Sequence, residues 1–192
     1  MKKIYLLSGI LFFSFLQVMT AIGGDVVKIS LGGTSLTLFG NHIEVGKPLP
    51  KVVLPNLSLA MTDLDSFKGK VTILSVVPSL DTPTCEKQTH ILSEENHGLD
   101  KKANLITISR DLPFAQKRFS KKAKINNLIF LSDYRDASFG KASGLLIQEN
   151  RLLARAVFVL DKDGVVRYKE IVSKLAELPK MEKAFKAAQS LL

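Results

Sequence analysis

Short β-branched runs that alternate with helical segments, together with one strand-turn-strand unit near each end, predict an α/β fold: a mixed-sheet sandwich with an N-terminal β-hairpin. Val26 to Ser30 and Ser35 to Phe39 alternate in polarity around Gly32-Gly33, which reads as that hairpin. Gly46, Pro48 and Pro50 then break the pattern. Val71 to Val77, VTILSVV, is apolar and β-branched and stops at Pro78, as a buried strand would, and a helix follows at once. Strands are expected again at Asn104 to Ser109, Leu128 to Ser132 and Ala156 to Leu160. Helices are expected at Pro113 to Lys124, opened by Asp111, and at Ala137 to Ser143. Asp161 to Gly164, DKDG, ends in the Asp-Gly pair of tight hairpins, and Val165 to Val172 returns from it. A last helix with Pro179 near its first turn sets Met181, Phe185, Ala188 and Leu192 on one face.

With 192 residues, 46% hydrophobic and 23% charged, the chain suits one globular domain plus a leader. Residues 1–23, MKKIYLLSGILFFSFLQVMTAIG, carry two lysines, an apolar run and small residues around Ala21 and Gly23, the plan of a signal peptide. An uncleaved N-terminal anchor is the rival reading, because Ile4 to Ile22 is nearly long enough to span a bilayer. Residues 24–192 form the expected soluble domain, with any membrane contact confined to the leader. Export, to a bacterial periplasm or anchored facing it, is the expected location.

The formal charge is +9, two units of which belong to Lys2 and Lys3. The remaining lysines are scattered, with no arginine-rich tract and no tryptophan, so solvated faces rather than a nucleic-acid surface are expected.

One cysteine, Cys85, is present in the whole sequence, which excludes an intrachain disulfide. It is an inert core residue, an intermolecular link or a reactive thiol. Its neighbours read PSLDTPTCEKQTH. With Thr82 as N-cap, Pro83 takes the first helical position and Cys85 the third, where a capping box holds an acidic or amide side chain. Unpaired N–H groups and the positive end of the helix dipole favour thiolate over thiol there. The Thr82 hydroxyl can donate to a substrate oxygen or accept from a backbone N–H. A dithiol C-x-x-C motif is unavailable, because Thr82 stands at its first position. His90 lies five residues along the helix, turned about 140° from Cys85, and His42, His90 and His97 show no zinc spacing with the cysteine.

The stretch from Pro78 to Cys85 resembles the P-x-x-x-T-x-x-C signature of the thiol peroxidase (Tpx) branch of the peroxiredoxins. SRDLPFAQKRF (Ser109 to Phe119), LSDYRDASFGKASGLLI (Leu131 to Ile147), RLLARAVFVLDKDG (Arg151 to Gly164) and LFGNHIEVGKPLP (Leu38 to Pro50) are similar to that family too. The resemblance implies a thioredoxin-like fold, a homodimer, no metal or organic cofactor, and thiol-dependent reduction of hydrogen peroxide and alkyl hydroperoxides. It makes Cys85 the attacking thiolate, which becomes a sulfenic acid. Thr82 would hold the peroxide, Pro78 would shield the sulfur, and Arg155 would stabilise the thiolate and the transition state. Where the family commonly has a resolving cysteine, this chain has Ser120, so an external thiol or thioredoxin-like partner is expected to re-reduce Cys85. The alternative is a peroxide sensor or thiol-partner binding protein on the same fold, oxidised once without turnover.

Overall fold

The computed structural model describes residues 28–192, so the leader and the first residues of the expected N-terminal hairpin lie outside the described residues. The hairpin itself is present as β1 (Ile29–Leu31) and β2 (Thr34–Leu36), paired antiparallel. Gly32 and Gly33 form its turn with φ of +58° and +86°, the double left-handed geometry that a two-residue hairpin needs. The chain then leaves the hairpin, and β3 (Leu38–Phe39) pairs instead with β9 (Leu146–Ile147).

A second hairpin, β4 (Val53–Pro55) with β5 (Met61–Asp63), is an element that sequence patterning misses. Its strands are too short to show alternation. Its turn is organised by Asn56, whose Oδ1 accepts from the N–H groups of Ser58 and Ala60.

The main sheet has five strands in the order β11 (Val166–Ile171), β10 (Ala156–Leu160), β6 (Thr72–Val76), β7 (Asn104–Ser109) and β8 (Ile129–Ser132). β6, β7 and β8 run parallel, while β10 is antiparallel to both β6 and β11, so the sheet is mixed as expected. Every residue of β6 and β10 is buried, which explains their unbroken apolar character: both faces are covered. Between β10 and β11 the Asp161 carboxylate accepts from the N–H groups of Asp163 and Val165, and Gly164 turns the chain at φ +80°.

Among the described residues, four α-helices cover the sheet. α1 (Pro83–Glu94), α2 (Pro113–Lys122) and α4 (Met181–Gln189) lie on one face, over a core that includes Val77, Leu80, Cys85, Leu92, Phe130, Val157 and Phe185. α3 (Ser138–Ser143) and the N-terminal strands cover the other, around Leu74, Ile106, Phe139 and Phe158. Full burial of each such side chain contributes roughly 1.5–3 kcal/mol.

The helix boundaries correct the expectations in detail. α2 ends at Lys122, because Lys124 adopts a left-handed φ of +57°. Pro179 stands just outside α4, before its N-cap Lys180. Ala184 joins Met181, Phe185 and Ala188 on the buried face of α4, whereas Leu192 lies beyond the helix and is 45% exposed. Among the described residues, no helix is long and apolar enough to cross a membrane.

Candidate active site

The apolar strand β6 ends in a loop that delivers the chain to the first turn of α1 at the centre of the sheet. Pro78 is buried at the start of that loop and Thr82 is exposed at its end, as the N-cap of α1 with extended φ/ψ of −121° and 142°. Pro83 occupies the first helical position and Cys85 the third, as the spacing predicts. The Thr82 side chain makes no capping bond to the helix. Its hydroxyl donates to the Ser79 carbonyl at 3.0 Å, which leaves the oxygen lone pairs free to accept a hydrogen bond from another donor.

Cys85 is wholly buried, with no exposed surface. Its sulfur nevertheless has a strong polar neighbour. Arg155, 2% exposed at the mouth of β10, donates from Nη2 to Cys85 Sγ at 3.3 Å. The same guanidinium donates from Nη1 to Gln88 Oε1 at 2.8 Å and from Nε to the Leu175 carbonyl at 2.9 Å. The planar fork is thus fixed on three sides. Among the described residues, no carboxylate lies within 4 Å of it.

A buried cation without a carboxylate is costly unless another anion answers it. The atom on which it is trained is the cysteine sulfur. A guanidinium and a thiolate at this separation attract by about 5 kcal/mol at an effective dielectric of about 20. The site is electrostatically complementary to a charged sulfur and to any charge that leaves it.

Sequence reasoning misses the side chains that hold this pair. Gln88, one turn after Cys85 and wholly buried, accepts from Arg155 while its amide donates to Ser75 Oγ at 2.8 Å. Its helical spacing from Cys85 is the only signal in the sequence, and spacing alone does not separate it from a surface glutamine. The Leu175–Ala176 segment touches both Arg155 and the first turn of α1: the Leu175 carbonyl accepts from Arg155 Nε, and the Ala176 carbonyl accepts from Thr84 Oγ1 at 3.4 Å. That segment is anchored by β1, since Leu175 N–H donates to the Ser30 carbonyl and Ser30 N–H to the Ser173 carbonyl. The N-terminal hairpin therefore buttresses the site from behind.

Asp111 does not open α2 as the sequence suggests; Leu112 is the N-cap, and the Asp111 carboxylate turns to the loop before α1. Ser120 stands near the end of α2, where its hydroxyl donates to the Ile125 carbonyl at 2.7 Å and its carbonyl accepts from Ile125 N–H. The histidines stand apart from the sulfur: His90 is paired with Glu94 and His97 with Glu182. Among the described residues, no cluster of three or more His, Cys, Asp or Glu side chains is arranged to hold a metal ion.

A family profile described as Redoxin matches residues 44–185. The thiol peroxidase of Halalkalibacterium halodurans is 45% identical over 167 residues, covering 87% of this chain and all of that protein. The thiol peroxidase of Bacillus subtilis is 45% identical over the same length, covering 99% of that protein. The chain belongs to the thiol peroxidase family of redoxins. Among solved structures, a peroxiredoxin-like protein from Aquifex aeolicus superposes with a TM-score of 0.80 at 35% identity, over 86% of this chain and 98% of that one. A thiol peroxidase from Chromobacterium violaceum superposes at 0.75, covering 85% of this chain and 96% of that one; at 23% identity it attests the fold alone. The chain thus has the thioredoxin-like peroxiredoxin fold that its sequence predicts, and within it the family has a single-cysteine member.

Proposed function

We propose that this chain is a thiol-dependent peroxidase that reduces hydrogen peroxide and alkyl hydroperoxides at Cys85. The observation that carries the reading is the Arg155 guanidinium, without a carboxylate partner among the described residues, held 3.3 Å from the Cys85 sulfur. The Cys85 thiolate attacks the distal peroxide oxygen. The S–O bond forms as the O–O bond breaks, and the leaving alkoxide or hydroxide takes up a proton and departs as alcohol or water. Cys85 is oxidised to the sulfenic acid and the peroxide is reduced.

Each side chain has a part. Arg155 stabilises the thiolate and the charge that moves onto the leaving oxygen, from a position fixed before the reaction begins. Thr82, with its own proton committed to Ser79, accepts a hydrogen bond from the hydroperoxide O–H. Pro78, buried at the base of the loop, shields the sulfur from water. Because Cys85 has no exposed surface, the peroxide reaches the sulfur through a local opening of the structure around it.

Recycling needs an external thiol, because Ser120 cannot close a disulfide and no second cysteine exists. One thiol condenses with the sulfenic acid to a mixed disulfide and water, and a second releases Cys85 as a thiol together with the reductant's disulfide. We place the enzyme in the exported compartment implied by residues 1–23, working as a homodimer. Continuous peroxide consumption with a dithiol reductant, abolished in Cys85→Ser, tests this function; consumption unchanged by Cys85→Ser contradicts it.

The lack of a second cysteine also favours a sensor reading, in which Cys85 is oxidised once and passes the oxidation to a partner thiol as a mixed disulfide. Multiple turnovers with a reductant exclude it.

A further inference from the structure

We propose that Asp111 is a positioning residue for the peroxide reaction, acting through Ser79 on Thr82 and the entry to α1. The proposal rests on the reading of Cys85 as the group that reacts with peroxide. Asp111 lies in the loop between β7 and α2, distant in sequence from the cysteine. Both of its carboxylate oxygens are spent on the loop before α1: Oδ1 accepts from Ser79 Oγ at 2.6 Å, and Oδ2 from Leu80 N–H at 2.7 Å. Hydrogen bonds of this length to a carboxylate are among the stronger ones in proteins. Among the described residues no cation lies within 4 Å of it, so these contacts are not the by-product of an ion pair.

The bonds continue beyond Ser79. Its hydroxyl accepts from Asp81 N–H at 3.3 Å, and its carbonyl accepts from Thr82 N–H at 3.2 Å and from the Thr82 hydroxyl at 3.0 Å. The Ser79 carbonyl is therefore the group that sets where the Thr82 hydroxyl points, and Asp111 holds the residue that bears it. Asp111 is itself fixed at both backbone ends. Its N–H donates to Ser109 Oγ at 3.3 Å, and its carbonyl accepts from Ser132 Oγ. The relay runs from the ends of the parallel strands β7 and β8, at Ser109 and Ser132, to the Thr82 hydroxyl at the N-cap of α1. Removing the carboxylate leaves the loop with two unsatisfied donors and frees Ser79 to rotate.

The test is a single-turnover series on the full chain: hydrogen peroxide oxidation of Cys85, with iodoacetamide alkylation of the same thiol as a parallel readout that does not use Thr82. The proteins are wild type, Asp111→Ala, Thr82→Val and the double variant, with Ser79→Ala as a gentler cut of the same relay should Asp111→Ala fold poorly. Asp111→Ala and Ser79→Ala are expected to slow peroxide oxidation about tenfold without slowing alkylation. In the double variant the loss is expected to stay within about twofold of the slower single variant, because both changes break one relay. Wild-type peroxide rates in Asp111→Ala and Ser79→Ala, equal losses in both reactions, or losses that multiply in the double variant would overturn the proposal. A wild-type thiol that alkylates but never oxidises would overturn the parent reading and this one with it.

Discussion

Arg155 Nη2 donates to Cys85 Sγ across 3.3 Å in a place where the arginine is 2% exposed and the cysteine not at all. A guanidinium in such a position does two things. In the proposed reaction it faces the attacking sulfur and stays in place to meet the charge that moves to the leaving oxygen. Arg155→Met keeps much of the volume and removes the charge and all three donors. Peroxide oxidation of Cys85 should fall by roughly a hundredfold or more, by analogy with the loss of one preorganised donor. Arg155→Lys should also be slow, because a single ammonium cannot reach Cys85, Gln88 and Leu175 together. Rapid-quench measurement of thiol loss decides both.

Gln88 gives a test with a sign. Its Oε1 already takes one Arg155 donor at 2.8 Å, so Gln88→Glu places a carboxylate in direct competition with the thiolate for the same cation. Oxidation should slow by about tenfold even though the geometry is nearly preserved, since a nearby like charge opposes the sulfur anion. Faster oxidation in Gln88→Glu would mean that the guanidinium orientation, not its free charge, limits the rate.

Much of this was legible from sequence, and the limits have physical causes. Strands β6 and β10 announced themselves because burial on both faces demands an unbroken apolar run. The Thr82-Pro83 helix start was equally plain, and so was the cysteine at its third position. The β4–β5 hairpin and the β3–β9 pair were not, because strands of two or three residues leave no period to read. Asp111 looked like a helix cap because acidic residues commonly precede helices. Only the chain's return from β7 reveals that its carboxylate reaches back to Ser79 and Leu80. Arg155 could be selected among the arginines by family resemblance alone, since nothing in composition says which cation a fold will bury.

Asp133 predicts a pH effect on stability. Burial raises its carboxyl above the ordinary 3.8, against the opposing effects of N–H bonds from Gly140 and Phe139 and the charge of Arg110. Between 3.8 and the raised folded value, the folded protein holds this proton more tightly than the unfolded chain does. The stabilisation from that proton is present at low pH and is lost as pH rises through the window. Asp133→Asn, which does not titrate, should flatten that part of the profile in urea unfolding followed across acidic pH. An unchanged slope would assign the dependence to other carboxylates.

Ser120 tests the one-cysteine cycle. Its hydroxyl bond to Ile125 closes the end of α2, so Ser120→Cys should cost about 1 kcal/mol of stability. It also supplies the missing thiol. One equivalent of peroxide should then give an intramolecular disulfide with Cys85, seen as a mass loss of two hydrogens and faster migration without reductant. A stable sulfenic or sulfinic acid in this variant would mean that the two helices do not move far enough to meet.

The most direct measurement is an intact mass spectrum of the reduced protein after one equivalent of hydroperoxide, with a sulfenic-acid trap present and Cys85→Ser as control. One trap adduct, on Cys85, is expected within the mixing time, and none in the control. A wild-type thiol left unmodified would contradict it, and would mean that the guanidinium beside the sulfur serves the fold and not the chemistry.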